Sequence, residues 1–145
     1  MSVGSTPTLS SRQKRLVRES LEAIREYSNA VTKLFYGRLF EVAPEVRGLF
    51  KNSLEDQSKK LLEMLGTIVD SLDRLQELEP QLIELGRRHA GYGVKPEHYA
   101  LMRTALLWSI ARALDSEFDA ETKMAWNELL RVVTAVMLEQ TSGAG

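Results

Sequence analysis

Apolar residues recur every three or four positions along most of the chain, and no stretch alternates apolar and polar residues between turn signals. The pattern predicts helices alone. The first runs from about Ser11 to Glu26, with Leu16, Val17, Leu21 and Ile24 on one side and charges elsewhere. A second carries Val31, Leu34, Phe35, Leu39 and Phe40, and Pro44 closes it, because proline lacks the N–H and clashes with the preceding turn. Pro44 to Phe50 reads as a short helical corner. A serine with an acidic residue three places on, Ser53 to Asp56, announces a third helix with a buried stripe of Leu54, Leu61, Leu65, Ile68 and Leu72. A shorter helix is predicted from Pro80 to Gly91-Tyr92-Gly93, where glycine can take the left-handed cap. Pro96 and Glu97 start another long helix with Tyr99, Met102, Leu106, Ile110 and Leu114. The last begins near Asp119 and carries Met124, Leu129, Val133, Val136 and Met137. No repeat or linker divides the chain, so residues 11–140 are expected as one domain, with 1–10 a flexible leader and 141–145 a frayed tail.

Composition narrows the chemistry. The 145 residues are 43% hydrophobic and 27% charged, enough for a sizeable core without staples. With 0 cysteines, disulfides, thiolate nucleophiles, cysteine zinc sites and iron–sulfur clusters are all excluded. Two histidines, His89 and His98, leave no room for a His-rich zinc site. A net charge of -1 and a pI near 6.2 argue against a nucleic-acid partner. Arg12, Lys14, Arg15 and Arg18 cluster, but Glu19 and Glu22 follow directly, as on a solvated helix face. No apolar run approaches the roughly 18 residues of a membrane span. The start of the chain lacks an apolar core of the secretory kind, so a cytoplasmic location is expected.

Four polar positions stand out. His89 follows Leu82 and Leu85 by seven and four residues, so its imidazole leaves the apolar side of its helix. It reads either as a packing residue or as a ligand: one ring nitrogen can donate to a carbonyl one turn earlier, leaving the other free. His98 lies off the stripe of Tyr99 and Met102 and reads as structural or solvent-exposed. Tyr36 beside Phe35, and Gln57 one turn before Leu61, are polar groups on apolar faces, either ordinary or lining a site. No Ser-His-Asp arrangement, phosphate loop or isolated carboxylate pair is present, and Gly91-Tyr92-Gly93 follows a helix as a cap.

The spacing of several of these residues resembles the globins over about residues 11 to 140, with the bacterial single-domain globins looking closest. The marks are Pro44 followed six residues later by Phe50, then Gln57, then Leu-Gly-Arg-Arg-His at 85 to 89, Gly93-Val94 and Pro96-Glu97-His98-Tyr99. The resemblance implies an all-α globin fold of six to eight helices around a pocket for haem b. It makes His89 the proximal iron ligand and Phe50 the ring packed on the porphyrin. Tyr36 and Gln57 become the distal hydrogen-bond donors to a bound diatomic ligand, and Leu61 the aliphatic residue one turn beyond. Leu85 and Val94 would line the proximal half, and Lys60 would pair with a propionate at the rim. Tyr99, ten residues after His89, matches the proximal tyrosine of flavohaemoglobins. Counted without gaps from Trp126, the late glutamate of that family falls on Thr141, with Glu139 two residues short.

The function implied is reversible binding of dioxygen, nitric oxide and carbon monoxide by a monomer or weak dimer. The alternative is nitric oxide dioxygenation with an external reductase, since 145 residues leave no room for a flavin or nicotinamide domain. A cofactor-free helical interaction module is the third class.

Overall fold

The structure, a computed structural model, describes residues 9–51 and 53–143, the side chains of 140–143 excepted. Six α-helices follow one another: α1 (Ser11–Glu26), α2 (Ser28–Val42), α3 (Leu54–Asp70), α4 (Leu75–Tyr92), α5 (Pro96–Leu114) and α6 (Ala120–Gly143). Short 3-10 turns at Pro44–Leu49, Leu72–Arg74 and Asp115–Glu117 link them, and there is no strand among the described residues.

Local chemistry accounts for most of the helix ends. The Ser10 hydroxyl accepts from the Gln13 N–H while the Gln13 side chain accepts from the Ser10 N–H, a complete capping box that starts α1. Ser53 caps α3 by accepting from Asp56, and Asp119 receives the Thr122 N–H ahead of α6. At the far end of α4, Gly93 takes φ 101°, a left-handed conformation costly for any residue with a Cβ.

The core lies between the helices. α4 runs along α6 and α2 along α5, the most extensive pairings. Gly86 makes the first possible: a Cβ there would stand 2.5 Å from the Met137 carbonyl oxygen, so only glycine lets the two backbones come this close. Trp126 is fully buried, and its indole N–H donates to the Ser20 hydroxyl at 2.7 Å, joining α6 to α1. The basic cluster of α1 is a solvated face: Lys14 and Arg18 meet Asp73 at 2.9 and 3.0 Å, and Arg12 meets Glu121, all with exposed partners.

Four expectations need correction. α4 begins at Leu75 instead of Pro80, because Leu78 is buried and Leu75 packs against the core. Pro80 and Gln76 are exposed, so the carbonyl that loses its donor is left to water. Leu54 is 39% exposed and lines an open cleft with Phe40, Arg47 and Phe50. Met124 is 67% exposed, since on α6 the inward positions are Ala125, Trp126 and Leu129. Leu9 is buried and Ser10 caps α1, so the last two positions of the expected leader belong to the folded unit. Residues 1–8 and 144–145 lie outside the described residues, and helix continues to Gly143.

Candidate functional site

His89 stands one turn before the end of α4, half-buried. Its Nδ1 lies 2.9 Å from the Leu85 carbonyl, which can only accept; Nδ1 therefore donates, and Nε2 keeps its lone pair. Burial pushes its pKa below the ordinary 6.5, with the Leu85 bond opposing and the Arg88 charge adding to the shift. The imidazole is thus neutral at neutral pH and oriented by a backbone bond, as a metal-ligating histidine requires. The Tyr99 ring, fully buried on the first turn of α5, stacks against it at 6.3 Å between centroids and 29° between planes. Leu85 and Val94 are half-buried nearby, and the Val94 N–H donates to the His89 carbonyl at 3.0 Å.

A second group of residues is aromatic. Tyr36, 6% exposed on α2, meets Phe35 at 4.9 Å, Phe40 at 6.1 Å and the Phe50 ring edge-on at 5.5 Å. Phe40 and Phe50 pack edge-to-face at 5.4 Å, and the Arg47 guanidinium lies 5.2 Å above Phe40. Phe50 arrives there because the Pro44–Leu49 turn ends in extended backbone at that residue. Burial raises the Tyr36 pKa to about 12, so the phenol stays protonated and able to donate. Its hydroxyl makes no hydrogen bond with another described residue.

Gln57 and Leu61, one turn apart on α3, are half-buried, and Lys60 is exposed. The structure therefore joins His89 with Tyr99, and Tyr36 with Phe50, through ring contacts. Gln57, Leu61 and Lys60 have no such contact. Glu139 is exposed on α6; the side chain of Thr141 lies outside the described residues.

The donor set suits a metal held mainly by something other than protein. No group of three or more His, Cys, Asp or Glu capable of holding an ion exists among the described residues. A single anchored, neutral imidazole fits an iron whose remaining ligands come from a macrocycle. Apolar rings such as Phe50 and Tyr99 suit the flat faces of such a group.

His98 is more deeply held than its place in the sequence pattern suggests. It was expected off the apolar stripe, yet it is 2% exposed and bonded at both ring nitrogens, so the structural side of that expectation holds and the exposed side does not. The signal available was its place three residues after Lys95 at a helix start, where a side chain can reach back to the cap.

Comparison with known proteins places these features in context. The family model described as Globin matches residues 33–137. The chain is 32% identical over 120 residues to a globin-like protein of Aquifex aeolicus, covering 83% of this chain and 85% of that one. It is 25% identical to a flavohemoprotein of Halalkalibacterium halodurans, covering 93% of this chain but only 34% of that protein. Among solved structures, an engineered carbene transferase, itself a proposed nitric oxide dioxygenase from Rhodothermus marinus, superposes with a TM-score of 0.81 at 28% identity, over 94% and 96% of the two chains.

Proposed function

The chain belongs to the globin family, and from that premise we propose that it holds haem b through Nε2 of His89 and reversibly binds dioxygen, nitric oxide and carbon monoxide. The observation that carries this reading is the His89 imidazole, neutral and anchored at Nδ1 with Nε2 left as a lone-pair donor. When bound, the haem supplies a ferrous iron with one position open to a diatomic ligand.

The chain's own residues then divide the work. His89 would hold the iron, and its bond to Leu85 keeps the ring from turning. Tyr99, Leu85 and Val94 exclude water around it. Tyr36 would donate to a diatomic ligand from a buried phenol, and Gln57 from an amide at the start of α3. Phe50 would pack on a face of the group and Leu61 would line the space for the ligand. Lys60, exposed to water, contributes a propionate contact at the rim that salt screens. No described helix is long and apolar enough to cross a membrane, and a cytoplasmic monomer or weak dimer is part of the proposal.

Titration of the purified protein with haem tests this directly. A Soret band that saturates at one haem per chain, and is lost in His89→Ala, is the expected result. No Soret absorbance after haem addition would favour a cofactor-free interaction module.

A second reading, nitric oxide dioxygenation with electrons from a separate reductase, is favoured by the likeness to the Rhodothermus marinus protein. Mixing the oxygenated protein with nitric oxide and a flavin reductase separates the two. Sustained nitrate production marks an enzyme; a single stoichiometric oxidation marks a carrier.

A further inference from the structure

Between α4 and α5 the chain turns through Gly93, Val94 and Lys95, so this corner sets how the Tyr99 ring lies on that of His89. His98 sits at the far side of the corner, buried and unused by haem binding as described above. Its Nδ1 accepts the Lys95 N–H at 3.0 Å. A backbone N–H can only donate, so Nδ1 carries no proton; Nε2 carries it and donates to Oε2 of Glu45 at 3.2 Å. The first bond is the return half of a capping box, from an N3 side chain to the N-cap backbone. The second reaches 53 residues back, to the turn that ends at Phe50. Glu45 remains an ionised acceptor, because its own backbone N–H and the His98 bond hold its carboxyl below the usual range. A second contact joins the same two segments: a Cβ on Gly93 would stand 3.3 Å from Cδ2 of Leu49.

A cap alone needs no histidine, since a glutamine at N3 accepts the same N–H. Bridging to Glu45 as well needs an acceptor and a donor that point in different directions from one short side chain. Imidazole has that arrangement. Tyr99 is the next residue, so whatever holds the first turn of α5 also holds the ring stacked on His89. The His89 ring has two restraints, its bond to Leu85 and that stacked face, and loosening the second frees rotation about its Cβ–Cγ bond.

We propose, resting on the reading of His89 as the haem ligand, that His98 is a positioning residue for that ligand. By tying the start of α5 to the turn that carries Phe50, it holds Tyr99 in register on His89 and fixes the direction in which Nε2 points. The two sides of the haem site are thereby coupled through one buried imidazole.

The test reads bond geometry. In the ferrous haem-loaded protein, resonance Raman gives the iron–imidazole stretching band. His98→Ala is expected to shift and broaden it, and in the haem-free protein to speed exchange of the Lys95 amide by about tenfold or more. His98→Gln, which keeps an acceptor oxygen and a donor nitrogen on one side chain, restores part of the parent band. Glu45→Ala changes an exposed residue and moves the band in the same direction by less. A parent band left unmoved by both His98→Ala and Glu45→Ala would overturn the positioning role. A parent with no iron–imidazole band at all would instead overturn the assignment of His89, and this inference with it.

Discussion

His89 and Tyr36 are both polar side chains set in apolar surroundings, yet they are held by different forces. Around His89 the restraints are directional: a 2.9 Å bond to Leu85, a stacked ring from Tyr99, and behind Tyr99 the doubly bonded His98. Around Tyr36 they are ring contacts with Phe35, Phe40 and Phe50, and its hydroxyl makes no hydrogen bond with another described residue. The difference follows from the tasks proposed for them. A metal ligand must present one nitrogen in one direction at all times, so its tautomer and azimuth are fixed in advance. A donor to a ligand that comes and goes needs a fixed ring and a free O–H, and a partner already bonded to that O–H would compete with the ligand.

The largest break in this comparison is expected from His89→Ala, which removes the imidazole proposed as ligand on the directional side. Acid does the same reversibly. Burial holds the His89 pKa below 6.5, so above that value folded and unfolded chains are both neutral and the residue has no pH-linked effect. As pH falls through 6.5 the unfolded chain takes the proton first, so stability falls with decreasing pH until the folded pKa is reached. Urea unfolding of the haem-free protein across pH 7 to 5 checks this: the acid limb should be shallower in His89→Ala than in the parent.

Gly86→Ala should damage the directional side without touching a polar atom. The new Cβ would meet backbone of Met137, which cannot swing away, so α4 and α6 must separate. Overpacking of this kind costs about 1–3 kcal/mol or more. In a domain of this size, each kcal/mol lowers Tm by roughly 2–4 °C, read by calorimetry.

Tyr36→Phe tests the other side and should leave the fold nearly intact. Loss of a hydrogen bond to a charged acceptor costs on the order of 1.5–3 kcal/mol, so the oxygen dissociation rate should rise about ten- to a hundredfold by stopped flow. The same variant should flatten the alkaline limb of stability. In the unfolded chain Tyr36 ionises near its ordinary 10.0, but burial delays this to about 12 in the folded one. The parent therefore loses stability as pH rises between these values, and the Phe variant loses less.

Ser53→Ala has the smallest expected effect. It removes the hydroxyl that accepts the Asp56 N–H and starts the helix carrying Gln57. A lost cap costs roughly 1 kcal/mol, seen as a lower urea midpoint with unchanged slope. Oxygen dissociation should change less than in Tyr36→Phe, since ring packing alone holds the phenol.

Much of this architecture was legible in the residues themselves. The ends of α1, the cap at Ser53, the left-handed Gly93 and the Pro96 start of α5 all depend on atoms within a turn of one another. The bond from His89 to Leu85 belongs to the same class, because four residues along a helix is one turn. Pro80 misled for a matching reason: within its own turn it favours a helix start, and only the burial of Leu78 carries α4 back to Leu75. Met124 and Leu54 show the limit of periodicity, which marks a stripe but not where along a helix its neighbours stop.

The chain by itself determined that the fold is all helical, that one imidazole leaves an apolar face with a backbone carbonyl one turn earlier within its reach, and that a phenol lies on an apolar helix face. Each follows from 3.6 residues per turn and from the chemistry of single side chains. Only the tertiary structure decided which rings meet Tyr36, that Gly86 lets α4 reach α6, and that His98 bridges Lys95 and Glu45. Those contacts join segments up to 53 residues apart, as from His98 to Glu45. Their partners are chosen by how whole helices pack, and no local spacing records that choice.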